Sequence, residues 1–129
     1  MKIYLACPYT HPNPYVRERR FTRVNLAAGE LINSGHIVFS PISQSHPIAL
    51  ACNLPRDFEF WRGYNLSFIE WCDELYVLAL DGWKESVGVR AEVEYAEEIG
   101  KPVMIWTPNQ ETAIKPMVAG ADREGQEEG

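Results

Sequence analysis

The stretch Leu75-Tyr-Val-Leu-Ala-Leu80 decides the fold, together with the segment Asp81-Gly-Trp-Lys-Glu-Ser-Val-Gly88 that follows it. With Glu74, the apolar run predicts a strand over 74–80, and its lack of alternation is typical of a central strand covered on both faces. A loop over 81–85 and a helix over 88–100, ended by Gly100, come next. This succession predicts a parallel sheet with helical crossings.

Strands and helices alternate along the rest of the chain as well. The predicted strands cover 2–6, 36–39, 74–80 and 102–106, and the predicted helices cover 14–33, 64–71 and 88–100, with a short helix within the segment 40–63. This order predicts a three-layer, flavodoxin-like α/β fold with a parallel sheet of four to five strands and helices on both faces. In such sheets, ligands bind at the carboxyl ends of the strands.

Length and composition narrow the class of protein. The 129 residues, 46% hydrophobic and 23% charged, predict a single domain over 1–117, followed by an acidic tail over 118–129 that we expect to be disordered. The net charge of −6 argues against duplex nucleic acid as a partner, because duplex binding needs a basic face. No apolar run approaches the roughly 20 residues that span a bilayer, so no membrane partner is predicted. The apolar stretch near the N-terminus is too short for a signal peptide, and we expect a cytoplasmic protein.

Missing motifs argue against the usual metal and cofactor sites. The three cysteines, Cys7, Cys52 and Cys72, form no C-x-x-C pair, which argues against a zinc site and a disulfide framework. The loop after the first strand lacks the Gly-x-Gly-x-x-Gly fingerprint, and the chain has no Walker A loop and no Gly-x-Ser-x-Gly elbow. We therefore predict neither a metal nor a cofactor.

One carboxylate, that of Glu92, lies on the apolar face of its predicted helix. When the residues of 88–100 are placed at about 100° per step, Glu92 lands between Ala96 and Ile99 on the apolar side, near the start of the helix. Ionised carboxylates are rare on buried faces unless they are paired. Glu92 is therefore a functional group at the carboxyl edge of the sheet, an interior partner of an arginine, or a residue at the edge of the apolar stripe.

Four polar residues are candidates for the same edge. Arg17 and Arg20 extend the apolar stripe of helix 14–33 and would face the cleft of Glu92, where they could bind a phosphate or a carboxylate. A solvated basic face, or a salt bridge to Glu92, explains them as well. Ser86 is either a simple helix cap or part of an anion site. Asp81 either accepts a substrate hydroxyl or solvates a turn.

Three further residues give weaker signals. Tyr4 lies inside the first strand, where core packing is the default interpretation. His46 is a lone histidine in a loop and by itself indicates little. Trp61 belongs to an aromatic group over 58–64 that is dense enough to stack a base, although such groups more often close a core or an oligomer interface.

The motifs resemble those of a known superfamily. The first strand, the central strand and the pattern Asp81-Gly-Trp-x-x-Ser86-x-Gly88-x-x-x-Glu92-x-x-x-Ala96-x-x-x-Gly100-Lys-Pro-Val103 resemble the nucleoside 2-deoxyribosyltransferase superfamily. A branch of small bacterial proteins of unknown function within it is the closer match and spans about 1–106. The motif shared with characterised enzymes covers essentially 73–103.

The resemblance implies roles for individual residues. In characterised relatives the glutamate at the position of Glu92 is a nucleophile that attacks C1′ of a 2′-deoxynucleoside, displaces the base and holds the sugar covalently. Tyr4 falls where relatives have a tyrosine near the nucleophile. Ser86, two residues before Gly88, falls where relatives have a sugar-contacting aspartate or a serine. Relatives commonly place an aspartate where this chain has Asn65, whose amide cannot accept a proton as a carboxylate does. Asp81 is the candidate catalytic residue that would substitute for that carboxylate.

Two functional hypotheses follow. The first is cleavage of the N-glycosidic bond of a nucleoside or nucleotide, by hydrolysis or by deoxyribosyl transfer, with Arg17, Arg20 and Ser86 suited to a 5′-phosphate. The second is a non-catalytic nucleotide-binding module, in which Asn65 marks lost activity. The resemblance also implies a homo-oligomer, since relatives often complete the site from a neighbouring subunit.

Overall fold

The computed structural model describes residues 1–107 and the backbone of 114–116. The acidic tail predicted over 118–129 lies outside the described residues. The elements in chain order are β1 (Lys2–Ala6), α1 (Pro14–Asn33), β2 (Ile37–Phe39), α2 (Pro41–Cys52), α3 (Phe58–Trp71), β3 (Glu74–Leu78), α4 (Val87–Glu98), β4 (Val103–Trp106) and β5 (Ile114–Pro116). Within this described part of the chain, no helix is both long and apolar enough to cross a membrane.

The strands form one sheet in the order β2-β1-β3-β4-β5. The first four are parallel, with Tyr4 opposite Leu75 and Leu75 opposite Val103, and β5 pairs antiparallel with β4. The chain moves outward from β1 to β2 and then crosses back to β3, so the direction of winding changes between β1 and β3. Open α/β sheets place their ligands at the carboxyl ends of the strands beside such a switch point. The predicted α/β class and its parallel sheet are confirmed.

Helices cover both faces of the sheet. On one face, Val24, Ala28 and Leu31 of α1 pack against Ile3 and Leu5 of β1. The other face is covered by α3 and α4. These helices pack on apolar residues of β1, β3 and β4 that point to that face: Tyr4, Ala6, Leu75, Val77, Val103 and Ile105. Because successive strand residues point to opposite faces, Tyr4 belongs to the α3–α4 face.

The largest differences from the sequence prediction are in the segment 40–63, and the other boundaries lie within two residues of their predicted positions. The segment 40–63 holds all of α2, which begins at the Ser40 cap with Pro41 in its first turn and contains Pro47. A proline inside a helix removes a backbone donor, so its presence hid the helical pattern. The next helix, α3, begins at Phe58, six residues before the predicted start at Tyr64. The central strand ends at Leu78, two residues before the predicted end at Leu80.

Gly100 and Lys101 fasten the end of α4 to the end of α3. Gly100 has a φ of +81°, which suits a residue without a Cβ. The next residue, Lys101, then donates its backbone N–H to the Ala96 carbonyl at 2.8 Å. Its ammonium group donates to the carbonyls of Glu70 (3.0 Å) and Cys72 (2.6 Å), where α3 ends. A cation at this end of a helix satisfies carbonyls that have no partner within the helix.

We expect Lys101→Met to destabilise the fold by about 1–2 kcal/mol, because the methionine keeps the apolar stem but removes the charged donor from two carbonyls. The free energy of unfolding should be measured in urea, with Arg19→Met on the exposed surface of α1 as the matched control. Equal stability of the two variants would contradict this role for Lys101.

Candidate functional site

A cavity of about 500 Å³ opens at the carboxyl edge of the sheet, on the face covered by α3 and α4. Its walls come from the loop after β1, the start of α2, the first half of α3 and the first turns of α4. Among the residues that line the cavity are Tyr9, Trp61, Asn65, Ser86, Gly88 and Glu92. This location is the one expected for ligand binding next to the switch point of the sheet.

Glu92 lies at the inner end of this cavity with only 4% of its surface exposed. The hydroxyl of Tyr4, which is fully buried, donates to Glu92 Oε2 at 2.7 Å. The amide of Asn65 donates to the same oxygen at 3.3 Å. Because both bonds go to Oε2, Oε1 is the oxygen that remains for a ligand. The structure therefore brings three of the candidate residues together.

Burial controls the ionisation of Glu92. Removal of the carboxylate from water raises its pKa to about 7, although the hydrogen bonds from Tyr4 and Asn65 act in the opposite direction. Burial also raises the pKa of Tyr4, and the neighbouring Glu92 charge raises it further, so Tyr4 remains a donor. A carboxyl group that titrates near neutral pH inside a cavity is typical of a functional site.

Asn65 carries an unsatisfied acceptor at the same place. Only 7% of the surface of Asn65 is exposed, and its Oδ1 has no hydrogen-bond partner within the part of the chain that the structure describes. Leaving a buried acceptor unpaired costs about 1–3 kcal/mol, so such groups are usually satisfied by a ligand or by water. Asn65 therefore offers one donor to Glu92 and one acceptor to an occupant of the cavity.

The first turn of α4 forms a second part of the wall. Ser86 is the N-cap of the helix, and its Oγ accepts from the N–H of Val89 at 3.2 Å. Gly88 follows in the first turn, where an added Cβ would lie 3.3 Å from the Phe58 ring. The N–H groups of a helix start favour an anion, so Ser86 and Gly88 line a suitable place for a negatively charged group.

Aromatic side chains form the outer wall. Trp61 lines the cavity and is fixed by a hydrogen bond from its Nε1 to the Pro55 carbonyl at 2.9 Å. Phe58 lies beside it, whereas Phe60 and Tyr64 are 51% and 41% exposed on the outside of α3. A planar base could stack on this wall. The homo-oligomer expected from the sequence stays a prediction.

His46 lies behind the cavity wall, and the residue in front of it is Tyr9. The hydroxyl of Tyr9 is 2.6 Å from His46 Nδ1, and only Tyr9 of the pair lines the cavity. Sequence reasoning missed Tyr9 because it lies in an irregular loop, although its place directly after β1 was a usable signal.

The structure places the remaining candidates on a different cavity or outside both. Arg20 and Asp81 line a cavity of about 660 Å³ on the α1 side of the sheet, where the Arg20 guanidinium donates to the Asp81 carbonyl at 2.9 Å. The Arg17 guanidinium donates to the His11 carbonyl. The arginines on the Glu92 cavity are instead Arg56 and Arg62. Of the three phosphate ligands predicted from the sequence, Arg17 and Arg20 therefore do not line the cavity of Glu92, whereas Ser86 does.

No group of three or more metal-ligating side chains occurs in the described ranges, 1–107 and 114–116. Of the three cysteines, Cys7 lines the Glu92 cavity and Cys52 is exposed. The groups that line the cavity include a buried carboxyl group, an amide, hydroxyl groups, two guanidinium groups, a thiol and a helix start.

Comparison with known proteins agrees with this geometry. A family model described as a domain of unknown function (DUF1937) matches residues 1–108. Among solved structures, the chain is similar to a 2-deoxyribosyltransferase from the psychrotolerant bacterium Bacillus psychrosaccharolyticus, with a TM-score of 0.58 and 29% identity over 85% of this chain and 74% of the other. No curated protein matches in sequence. These findings confirm the expected flavodoxin-like fold and a family of unknown function in the nucleoside deoxyribosyltransferase-like superfamily.

We expect Glu92→Gln to stabilise the protein above neutral pH. The folded-state pKa is about 7 and the ordinary value is 4.5. The native state therefore retains a proton that the unfolded chain releases between these values, and wild-type stability falls as pH rises through this window. The variant does not titrate, so its advantage should be small at pH 4.5 and approach about 2–3 kcal/mol at pH 8.

Urea unfolding at the two pH values measures this effect. Glu94→Gln, an exposed position on the same helix, is the matched control and should show no such growth. An advantage of Glu92→Gln that does not change with pH would contradict the raised pKa of Glu92.

Proposed function

We propose that this chain, which belongs to the family described as a domain of unknown function (DUF1937), cleaves the N-glycosidic bond of a 2′-deoxynucleoside or its 5′-monophosphate. The observation that carries the proposal is the buried carboxyl group of Glu92, which lines the cavity. Its Oε2 accepts hydrogen bonds from Tyr4 and Asn65, and its Oε1 is available to a ligand. The similarity in structure to a 2-deoxyribosyltransferase supports the same class of substrate.

Glu92 is suited to act as the nucleophile. Cleavage of an N-glycosidic bond passes through an oxocarbenium-like state, and a carboxylate can trap that state by forming a bond to C1′. Tyr4 and Asn65 fix the orientation of the carboxylate through Oε2, so Oε1 attacks C1′. With a pKa of about 7, a substantial fraction of Glu92 is ionised at neutral pH. The charge on the ionised carboxylate is poorly solvated because the group is buried.

Other groups of the cavity match other parts of such a substrate. The unpaired Oδ1 of Asn65 accepts a sugar hydroxyl. The α4 start at Ser86 and Gly88, with Arg56 and Arg62 at the opening, suits a 5′-phosphate. The base stacks on Trp61. A phosphate on the substrate favours a nucleotide, with water as the acceptor that releases the sugar from Glu92.

A second candidate is a non-catalytic nucleotide-binding module. It is favoured by Asn65, which stands where relatives commonly have an aspartate and which cannot give a proton to a departing base. In that case the buried carboxyl of Glu92 would serve in its protonated form as a hydrogen-bond donor to the ligand. Binding without turnover would then be the full function of the cavity.

We expect the wild-type protein to release free base from a panel of 2′-deoxynucleosides and their 5′-monophosphates, and Glu92→Gln to lower the rate by at least about 10³-fold because the nucleophile is lost. Chromatography measures the free base, and Glu94→Gln should retain the wild-type rate. Thermal shifts with the same ligands check that Glu92→Gln still binds.

Two results would contradict the proposal. If Glu92→Gln released base at the wild-type rate, Glu92 would not be the nucleophile. If the wild type released no base but was stabilised by the ligands, the protein would be the binding module.

A further inference from the structure

A chain of three side chains leads away from the cavity and has no part in the function proposed above. Tyr9 lines the cavity, and its hydroxyl lies 2.6 Å from His46 Nδ1. His46 is 6% exposed, and its Nε2 lies 3.0 Å from Glu18 Oε2. The Glu18 side chain is 57% exposed, so these three hydrogen-bonded side chains connect the cavity wall to the surface of α1.

The Glu18 carboxylate fixes one hydrogen position in this set of side chains, and the protonation state of His46 decides whether Tyr9 donates to Nδ1 or accepts from it. A carboxylate only accepts hydrogen bonds, so the Nε2 of His46 carries a hydrogen that points to Glu18. When His46 is protonated at both nitrogens, it forms an ion pair with Glu18 and donates from Nδ1 to the Tyr9 oxygen. In that state the Tyr9 oxygen accepts from His46, and the Tyr9 O–H can donate to an occupant of the cavity that Tyr9 lines. Burial raises the pKa of Tyr9, so the phenol keeps its hydrogen at neutral pH.

The packing holds His46 in this position. The Phe21 ring lies 4.2 Å from the imidazole at an angle of 30°, and the Tyr9 ring meets it edge-on at 5.5 Å. Only the two ring nitrogens reach polar partners. A buried histidine that is oriented by a carboxylate and contacts a hydroxyl is an arrangement suited to moving a proton.

We propose that Tyr9, backed by His46 and Glu18, gives the departing base its proton. This inference rests on the function proposed above and supplies the proton that Asn65 cannot give. The other acids of the cavity are less suited to the task. Asp57, Glu59 and Glu85 are exposed at its opening, and the Cys7 thiol already donates to the Pro8 carbonyl.

In the first half of the reaction, the sugar is transferred to Glu92 and the base leaves with a proton. Glu92 Oε1 forms a bond to C1′ while the bond from C1′ to the base nitrogen breaks and its electron pair goes to the base. The Tyr9 proton moves to a nitrogen of the base, and the Nδ1 proton of His46 moves to the Tyr9 oxygen. His46 becomes neutral and keeps its Nε2 hydrogen on Glu18, so no phenolate remains.

The second half reverses the proton movement. Water attacks C1′, the bond to Glu92 breaks, and the carboxylate is released. The proton of the attacking water passes to the Tyr9 oxygen, and the Tyr9 proton returns to His46 Nδ1. The same pair therefore acts as an acid in the first half and as a base in the second, and no proton is gained or lost over the cycle.

The test compares two leaving groups that differ in their need for a proton. A natural purine must be protonated as it leaves, whereas the 7-methylguanine of 7-methyl-2′-deoxyguanosine leaves as a neutral molecule without one. Tyr9→Phe should lower base release from 2′-deoxyadenosine by about 10²- to 10⁴-fold and that from the 7-methyl substrate by less than about threefold. Both substrates are supplied as nucleosides and as 5′-monophosphates, with subtraction of spontaneous release.

Two further variants complete the experiment. Glu18→Gln, at an exposed position, should show the same preference for the 7-methyl substrate with a smaller loss, because His46 loses the charge of its partner. Tyr15→Phe, which removes a hydroxyl from a tyrosine that is 81% exposed, is the matched control and should leave both rates unchanged.

The outcomes separate the inference from the function beneath it. Suppose that Tyr9→Phe has a wild-type unfolding midpoint. If its rates on the two substrates fall by the same factor, or if both rates stay at the wild-type value, Tyr9 is not the acid and the proposed function stands. If the wild type cleaves neither substrate, the proposed function fails and the inference fails with it.

Discussion

The hydrogen bond from Tyr4 to Glu92 connects the sheet to the helix that carries the reactive carboxyl group. Transfer of a carboxylate from water into a protein interior is unfavourable by several kcal/mol unless hydrogen bonds offset the loss. Tyr4 and Asn65 offset part of it, and the pKa of Glu92 remains raised to about 7. Val89, Val93 and Ala96 pack α4 on the sheet, and the contact with Tyr4 then decides which oxygen Glu92 presents to the cavity and how strongly its pKa is raised.

The rest of the cavity is arranged around the available oxygen of Glu92. The helix start at Ser86 is held in front of β3 by the short loop after that strand, and Asn65 approaches from α3. The loop after β1 contributes Tyr9 on the wall that leads to α1 and α2. Each strand end near the switch point thus supplies one part of a site that no single element could form. The unpaired oxygen of Asn65 and the buried charge of Glu92 both cost stability, which is common where binding groups must be kept ready for a ligand.

Much of the fold followed from the sequence because apolar runs and glycine or proline boundaries are local signals. The parallel strands and the helices α1 and α4 were predicted within two residues of their ends, whereas Pro47 concealed α2. Glu92 could be singled out because a carboxyl group is rare on an apolar helix face unless it is paired or has a function. The placement of Arg17 and Arg20 failed because helical periodicity gives the face of a residue but not the cavity at which its long side chain ends. Tyr9 was missed because loops have no period.

Detection of a covalent sugar on Glu92 is the most direct test of its role as the nucleophile. The protein should be mixed with substrate, denatured within the first turnover and analysed by intact-mass and peptide mass spectrometry. We expect a mass increase of one 2-deoxyribosyl group on the α4 peptide that contains Glu92, and none in Glu92→Gln. Base release by the wild type without any such adduct, or with the adduct on another residue, would contradict the central role of Glu92.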